Sequence, residues 1–118
     1  MKQIFNKGFR ELIAWQEAKK LTMKVYCLTR KFPKEELFGL VSQLRRASSS
    51  VMANIAEGSA MPTKAHRDSF YYRARGSATE VDSFAELSLE LVYLTAAERD
   101  DLCDHCRRIV YLITRLIG

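Results

Sequence analysis

The sequence contains little proline or glycine and no long hydrophobic run. Two prolines and five glycines in 118 residues leave few positions for tight turns, so helices are favoured over a turn-rich β fold. No apolar stretch approaches the ~20 residues that a membrane-spanning helix needs, and residues 1–9 are too polar for a secretory signal peptide. We therefore expect a cytoplasmic, all-α protein that has no membrane partner.

Cysteine and histidine are also scarce. Three cysteines, an odd number, favour a reducing compartment over a disulfide framework. Cys103, His105 and Cys106 resemble half of a zinc site, but a structural site needs four ligands and the sequence has no second pair at suitable spacing. Two cysteines in a reduced helix are the default interpretation, and a metalloenzyme built on these three residues is the alternative.

Motifs for catalysis are missing as well. The chain has no serine elbow, glycine-rich phosphate loop or His-Glu metal motif. The carboxylates of the third helical segment lack the Glu-x-x-His repeats of di-iron bundles, so we interpret them as a solvated face or as the counter-charge to an arginine pair. We therefore predict no enzyme, no catalytic residue, no metal and no cofactor.

Positive charge is concentrated in the first part of the chain. Residues 1–75 contain 15 Lys/Arg and 6 Asp/Glu, whereas residues 76–118 contain 4 and 8, so the two parts carry +9 and −4 and the chain carries +5. This asymmetry fits an anionic partner, nucleic acid above all. It also fits two parts that neutralise each other in the fold or in an oligomer.

Apolar residues recur every three or four positions in four segments, which indicates amphipathic helices. We predict one domain over residues 1–118, with helices over about 10–32, 35–57, 64–94 and 96–117. Pro33 ends the first helix, Gly58 caps the second, and Thr95 with Glu98 forms a capping box before the fourth. The short connections predict an antiparallel up-down-up-down four-helix bundle.

The second and third helices are predicted to cross through small side chains. If the chain folds back near residue 61, Ala47 to Ser50 lie level with the region before Gly76, and a glycine inside a helix, which costs about 1 kcal/mol relative to alanine, suggests close packing or a bend there. Glu80 falls within a turn of Arg46 and is expected to pair with it. Asn54 and Glu57 are assigned local roles, as a satisfied amide and as the partner of a basic residue.

Five ordered motifs resemble a known family of bacterial proteins. They are Trp15-Gln16-x-Ala18, Phe32-Pro33-x-Glu35-Glu36-x-Phe38-Gly39-Leu40, Gln43-Leu44-Arg45-Arg46-Ala47, Asn54-Ile55-Ala56-Glu57-Gly58 and Gly76-Ser77-Ala78-x-Glu80. Together they resemble the four-helix-bundle proteins encoded within intervening sequences of 23S ribosomal RNA genes, over nearly the whole chain.

This resemblance implies an antiparallel four-helix bundle that assembles as a homopentamer around a central channel. It also suggests kinship with the accessory proteins of diversity-generating retroelements, which are similar pentamers that bind nucleic acid and a reverse transcriptase. The biochemical role of the family is not established, so the resemblance supplies no catalytic residues.

Two hypotheses for function follow. In the first, an oligomer without enzymatic activity binds RNA or DNA through basic residues that lie near aromatic ones, the mixture found in single-strand binders; the candidates are Arg45, Arg46, Arg67, Arg73 and Arg75. In the second, the arginines are solvated or serve self-assembly, the aromatics belong to the core or to an interface, and the protein is a scaffold that binds another protein.

Overall fold

A computed structural model describes residues 8–118, so the polar tail lies outside the described part as far as residue 7. The helices are α1 (Ile13–Thr29), α2 (Leu40–Ser59), α3 (Lys64–Glu90) and α4 (Ala96–Ile117), with single 3-10 turns at Gly8–Glu11 and Lys34–Glu36. Each helix contacts the next along the chain, and α1 also contacts α4. This arrangement confirms the predicted all-α, up-down-up-down bundle.

The core lies along one stripe of each helix. The fully buried large side chains include Leu21 and Val25 of α1, Leu44, Val51 and Ile55 of α2, Val81 of α3, and Leu102, Ile109 and Ile113 of α4. Burying each such side chain stabilises the fold by about 1.5–3 kcal/mol. Half of the six buried residues of α3 are alanines, namely Ala74, Ala78 and Ala85, and these small side chains let α3 lie close to its neighbours. No helix of the described region is long and apolar enough to cross a membrane.

The α2–α3 crossing brings small side chains together, as predicted, but its two glycines have other roles than predicted. Gly58 is not a cap, because α2 continues to Ser59, and a Cβ placed on Gly58 would lie 2.8 Å from Cε1 of Tyr71. The prediction of close packing at Gly76 is wrong, because this residue is exposed and an added Cβ would meet nothing within 4 Å. The small side chains that do meet are Ser50 and Ser77, whose Oγ atoms are 3.0 Å apart.

Helix α2 begins later in the chain than predicted. The backbone at Gly39 (φ −112°, ψ −111°) separates the Lys34–Glu36 turn from the helix, which begins at Leu40 rather than at residue 35. Oε1 of Glu36 accepts a hydrogen bond of 3.1 Å from the Leu40 amide. The acidic residue therefore satisfies the positive end of α2 from outside the helix.

Helix α3 ends earlier in the chain than predicted. The helix ends at Glu90, Val92 adopts a left-handed conformation (φ 63°), and the amides of Tyr93 and Leu94 both donate to the Ser88 carbonyl. The returning chain buries Leu94, so the apolar pattern continues through a turn. The capping box of Thr95 and Glu98 at the start of α4 is confirmed.

Candidate nucleic-acid interface

The five candidate arginines fall into two groups. Arg45 and Arg46 lie in the middle of α2, whereas Arg67, Arg73 and Arg75 lie in the first half of α3. Consecutive residues of a helix point about 100° apart, so Arg45 faces α1 and Arg46 faces α3. The structure therefore does not bring all five guanidiniums to one surface.

Both arginines of α2 are engaged with neighbouring helices. The Arg45 guanidinium carbon lies 4.5 Å from the centroid of the Tyr26 ring, and Nε donates to Oγ1 of Thr29 at 3.0 Å. Arg46 binds Oε2 of Glu80 at 2.6 Å and also donates to the Gln43 side chain. The predicted pairing of Arg46 with Glu80 is confirmed.

The arginines of α3 contact carbonyl groups, hydroxyls and rings. Arg67 is half-buried and donates to the Met61 carbonyl at 3.3 Å, so it holds the connection between α2 and α3. Arg73 lies 5.0 Å from the Phe70 centroid and Arg75 lies 5.0 Å from the Tyr72 centroid. Arg75 also donates to Oγ1 of Thr114 on α4 at 3.3 Å.

The last turns of α4 add a similar pair beside Thr114. Arg115 lies 5.8 Å from the Tyr111 centroid and donates to its hydroxyl at 3.1 Å. This hydrogen bond raises the pKa of the Arg115 guanidinium. This pair is not among the predicted binding residues, although the i, i+4 spacing of Tyr111 and Arg115 predicts the contact. We call Tyr72, Arg73, Arg75, Tyr111 and Arg115 the basic-aromatic face. Arg73 and Arg75 point about 200° apart around α3 and flank the exposed side of that helix, Arg73 toward α2 and Arg75 toward α4.

Within the described part of the chain, no carboxylate pairs with the arginines of the basic-aromatic face. Among residues 8–118, Arg73, Arg75 and Arg115 form no ion pair within 4.0 Å. At the opposite end of the bundle, Lys31 pairs with Glu98, and Arg99 pairs with Glu86 and Asp100. The arginines of the basic-aromatic face therefore keep unpaired positive charge within the described residues, while the carboxylates Glu86, Glu98 and Asp100 are paired with Lys31 and Arg99.

Three residues of the sequence motifs have structural roles. Asn54 donates to the Ser50 carbonyl at 2.9 Å and to its hydroxyl at 3.0 Å, so its amide is satisfied locally. Trp15 is half-buried and packs edge-on against Phe9, with ring centroids 4.9 Å apart. Glu57 is exposed and has no ion pair within the described region, so its predicted pairing with a basic residue is wrong there.

The α1–α4 seam contains a polar cluster that the sequence did not predict. Nδ1 of His105 lies 2.9 Å from Nζ of Lys24, and Nε2 of His105 lies 3.1 Å from Oε1 of Glu17. Burial, followed by the Lys24 charge, lowers the pKa of His105, although Glu17 and Asp101 oppose the shift. These contacts fit a neutral imidazole that accepts from Lys24 and donates to Glu17. The available signal was the seven-residue spacing of Glu17 and Lys24 on one face of α1.

The cysteines next to His105 lie in a different environment. Burial raises the pKa of Cys106 to about 12, and burial together with a hydrogen bond to Asp82 raises the pKa of Cys103. The His105 ring is engaged by Glu17 and Lys24 of α1. Within residues 8–118, no group of three or more His, Cys, Asp or Glu side chains is arranged to hold a metal ion.

Comparison with known proteins gives a family and a fold. No curated protein matches the chain. A solved structure from Bacteroides thetaiotaomicron, described as a protein with unknown function from the S23 ribosomal protein family, superposes with a TM-score of 0.83 at 19% identity over 90% of this chain and 99% of that one. Residues 10–115 match the model of the family described as 23S rRNA-intervening sequence protein. The chain therefore belongs to the 23S rRNA-intervening sequence protein family.

Proposed function

We propose that this protein is a cytoplasmic, non-enzymatic oligomer that binds RNA or DNA through the basic-aromatic face. The observation that carries the proposal is the pair of arginine–ring stacks on α3, Arg73 on Phe70 and Arg75 on Tyr72, without a carboxylate partner in the described part of the chain. A guanidinium held over a ring still presents its N–H groups to a phosphate. Stacking also reduces the side-chain freedom that is lost on binding.

The five candidate arginines have different roles in this proposal. Arg73 and Arg75 contact phosphates directly, and Arg67, near the start of α3, supports them by holding the preceding connection through the Met61 carbonyl. Arg45 and Arg46 contribute long-range attraction, because their guanidiniums are engaged between helices. The two histidines have structural contacts in this proposal, since His105 contacts Glu17 in the α1–α4 seam and His66 contacts Thr63 at the cap of α3.

Oligomer formation strengthens such weak contacts. In a homopentamer the formal charge of +5 per chain becomes about +25, and several basic-aromatic faces bind one polyanion with the avidity of linked sites. Phosphate contacts release counterions, so the affinity falls steeply with salt.

The test measures binding of fluorescein-labelled single-stranded RNA by fluorescence anisotropy between about 50 and 200 mM salt. We expect the Arg73→Gln/Arg75→Gln variant to bind about tenfold more weakly at low salt and to lose about two units of the salt slope. The matched control is Arg46→Gln, which removes one charge from a paired site and is expected to change the affinity much less. Absence of binding at low salt, or an equal loss in the control, would contradict the proposal.

The second candidate is a scaffold for protein–protein contacts. It is favoured by exposed apolar side chains near the start of α2 and the end of α3, where Phe38 is 93% and Val92 is 85% exposed, since exposed apolar patches mark interaction sites. For this function, Arg45→Glu or Arg46→Glu breaks the oligomer, as measured by light scattering. If the oligomer survives and only RNA binding is lost, the first function is supported.

A further inference from the structure

Gly76 is a glycine that the fold itself does not need. It lies inside α3, twelve residues after Lys64, with a helical rather than left-handed backbone. Glycine at such a position costs about 1 kcal/mol relative to alanine. Yet Gly76 is exposed, and a Cβ added to it would meet no heavy atom within 4 Å. Gly58 is the opposite case, because Tyr71 occupies the space of its missing side chain.

The surroundings of Gly76 are aromatic and cationic. Tyr72 lies one turn before it on α3, is 51% exposed, and stacks with the guanidinium of Arg75. Arg75 reaches Thr114 of α4, whose neighbours in the last turns are Tyr111 and Arg115. The bare backbone at Gly76 is thus bordered by a ring and by a positive charge that no carboxylate in residues 8–118 pairs with.

We propose that Gly76 is the floor of a nucleobase site, and that the protein therefore prefers single-stranded RNA or DNA. The base lies over the exposed backbone of Gly76 and stacks against Tyr72, while Arg73 and Arg75 bind the adjacent phosphates. Glycine permits this close approach because it has no Cβ. Bases of a duplex are already stacked on one another, so only a single strand presents a free base to an aromatic ring. The inference rests on the proposed function, because it names the nucleic-acid class that the same face binds.

The charge of the face favours a nucleic acid over a second copy of the chain. A two-fold contact through Gly76 would bring Arg73 and Arg75 of one copy against the same residues of the other, and like charges across an interface oppose association. In a homopentamer the contacts are head-to-tail, so this face would meet a different surface of the next copy and the like-charge argument covers the two-fold contact alone. Small residues do allow two helices to approach closely, so self-association through this face is included as an outcome of the test.

The test compares Gly76→Ala and Tyr72→Ala with the unmodified full-length protein. The probes are a fluorescein-labelled oligouridylate and a labelled RNA duplex of equal length. We expect Tyr72→Ala to weaken single-strand binding about tenfold, Gly76→Ala to weaken it several-fold, and both to change duplex binding less than about twofold, since phosphate contacts remain. Gly76→Ala should retain or raise the thermal midpoint, because alanine favours the helix. The matched control is Ser83→Ala at another exposed position of α3, about two turns beyond Gly76 and outside the site.

The outcomes separate this inference from the proposed function. If Gly76→Ala and Tyr72→Ala bind the oligouridylate as tightly as the unmodified protein, while Arg73→Gln/Arg75→Gln binds weakly, the nucleobase site is refuted and the proposed function stands. If no variant and no parent protein binds RNA at low salt, the proposed function fails. If Gly76→Ala lowers the mass of the assembly without RNA, the face serves self-association and the inference is overturned. Should Tyr72→Ala not fold, Gly76→Ala alone decides.

Discussion

The two sides of α3 both have a glycine and an arginine nearby, but the neighbours of these residues differ. On the side that faces α2, the space beside Gly58 is filled by Tyr71, Ser77 meets Ser50, and Glu80 neutralises Arg46. On the basic-aromatic face, the space at Gly76 is open and Arg75 lies on a ring instead of a carboxylate. The comparison indicates that an arginine or a glycine is available to a partner only where the neighbouring helix does not already occupy it.

The largest expected effect comes from adding a side chain at Gly58, where Tyr71 already occupies the space. We expect Gly58→Val to lower the free energy of unfolding by about 1–3 kcal/mol, because the new side chain overpacks against Tyr71 and Phe70. Urea denaturation measures this loss, and Gly76→Ala is the matched control on the open side, with an expected gain of about 0.5–1 kcal/mol. Equal effects at the two glycines would remove the distinction between the two sides.

The same comparison shows which features of the fold can be predicted from the sequence alone. The bundle was predictable because each helix repeats its apolar residues along one stripe, as Leu44, Val51 and Ile55 do on α2. The close packing predicted at Gly76 is found at Gly58 instead, because the register between two helices depends on side-chain packing and a shift of about one turn changes which residues meet. The predicted end of α3 is wrong because the apolar pattern continues beyond Glu90, through the turn, to the buried Leu94.

The candidate site was predicted in part for the same reason. The concentration of arginine and aromatic residues around Phe70 to Arg75 is visible in the sequence, and the structure keeps these residues together. The contribution of α4 cannot be predicted from the sequence, since Thr114 meets Arg75 of α3 only through the packing of the two helices. Arg75 and Thr114 are far apart in the sequence, so helical periodicity alone does not predict their contact.

The closed α1–α4 seam is expected to make stability depend on pH. His105 is neutral in the folded protein because burial and Lys24 lower its pKa, whereas its ordinary pKa applies in the unfolded chain. The unfolded state then binds more protons as the pH falls, so the free energy of unfolding should decrease between about pH 7 and about pH 5. Urea titrations at several pH values measure this dependence.

The control for the seam is a side chain that keeps hydrogen bonding without titrating. His105→Gln can donate to Glu17 and accept from Lys24, so we expect a shallower loss of stability over the same pH range. His66→Gln, at the exposed start of α3, should leave the dependence unchanged. If His105→Gln retains the full pH dependence, another group of the seam, such as Glu17, is responsible.

The smallest expected effect is at the ion pair on the closed side of α3. The side chains of Arg46 and Glu80 are 57% and 35% exposed, and exposed pairs contribute about 0.2–1 kcal/mol to stability. A double-mutant cycle with Arg46→Gln and Glu80→Gln measures their coupling by urea denaturation. If Glu80 restrains Arg46, Glu80→Gln should also strengthen RNA binding by freeing a guanidinium beside the basic-aromatic face, and Arg46→Gln should cancel that gain. A gain that persists in the double variant would come from general charge rather than from Arg46, and the distinction between paired and free arginines would lose its support.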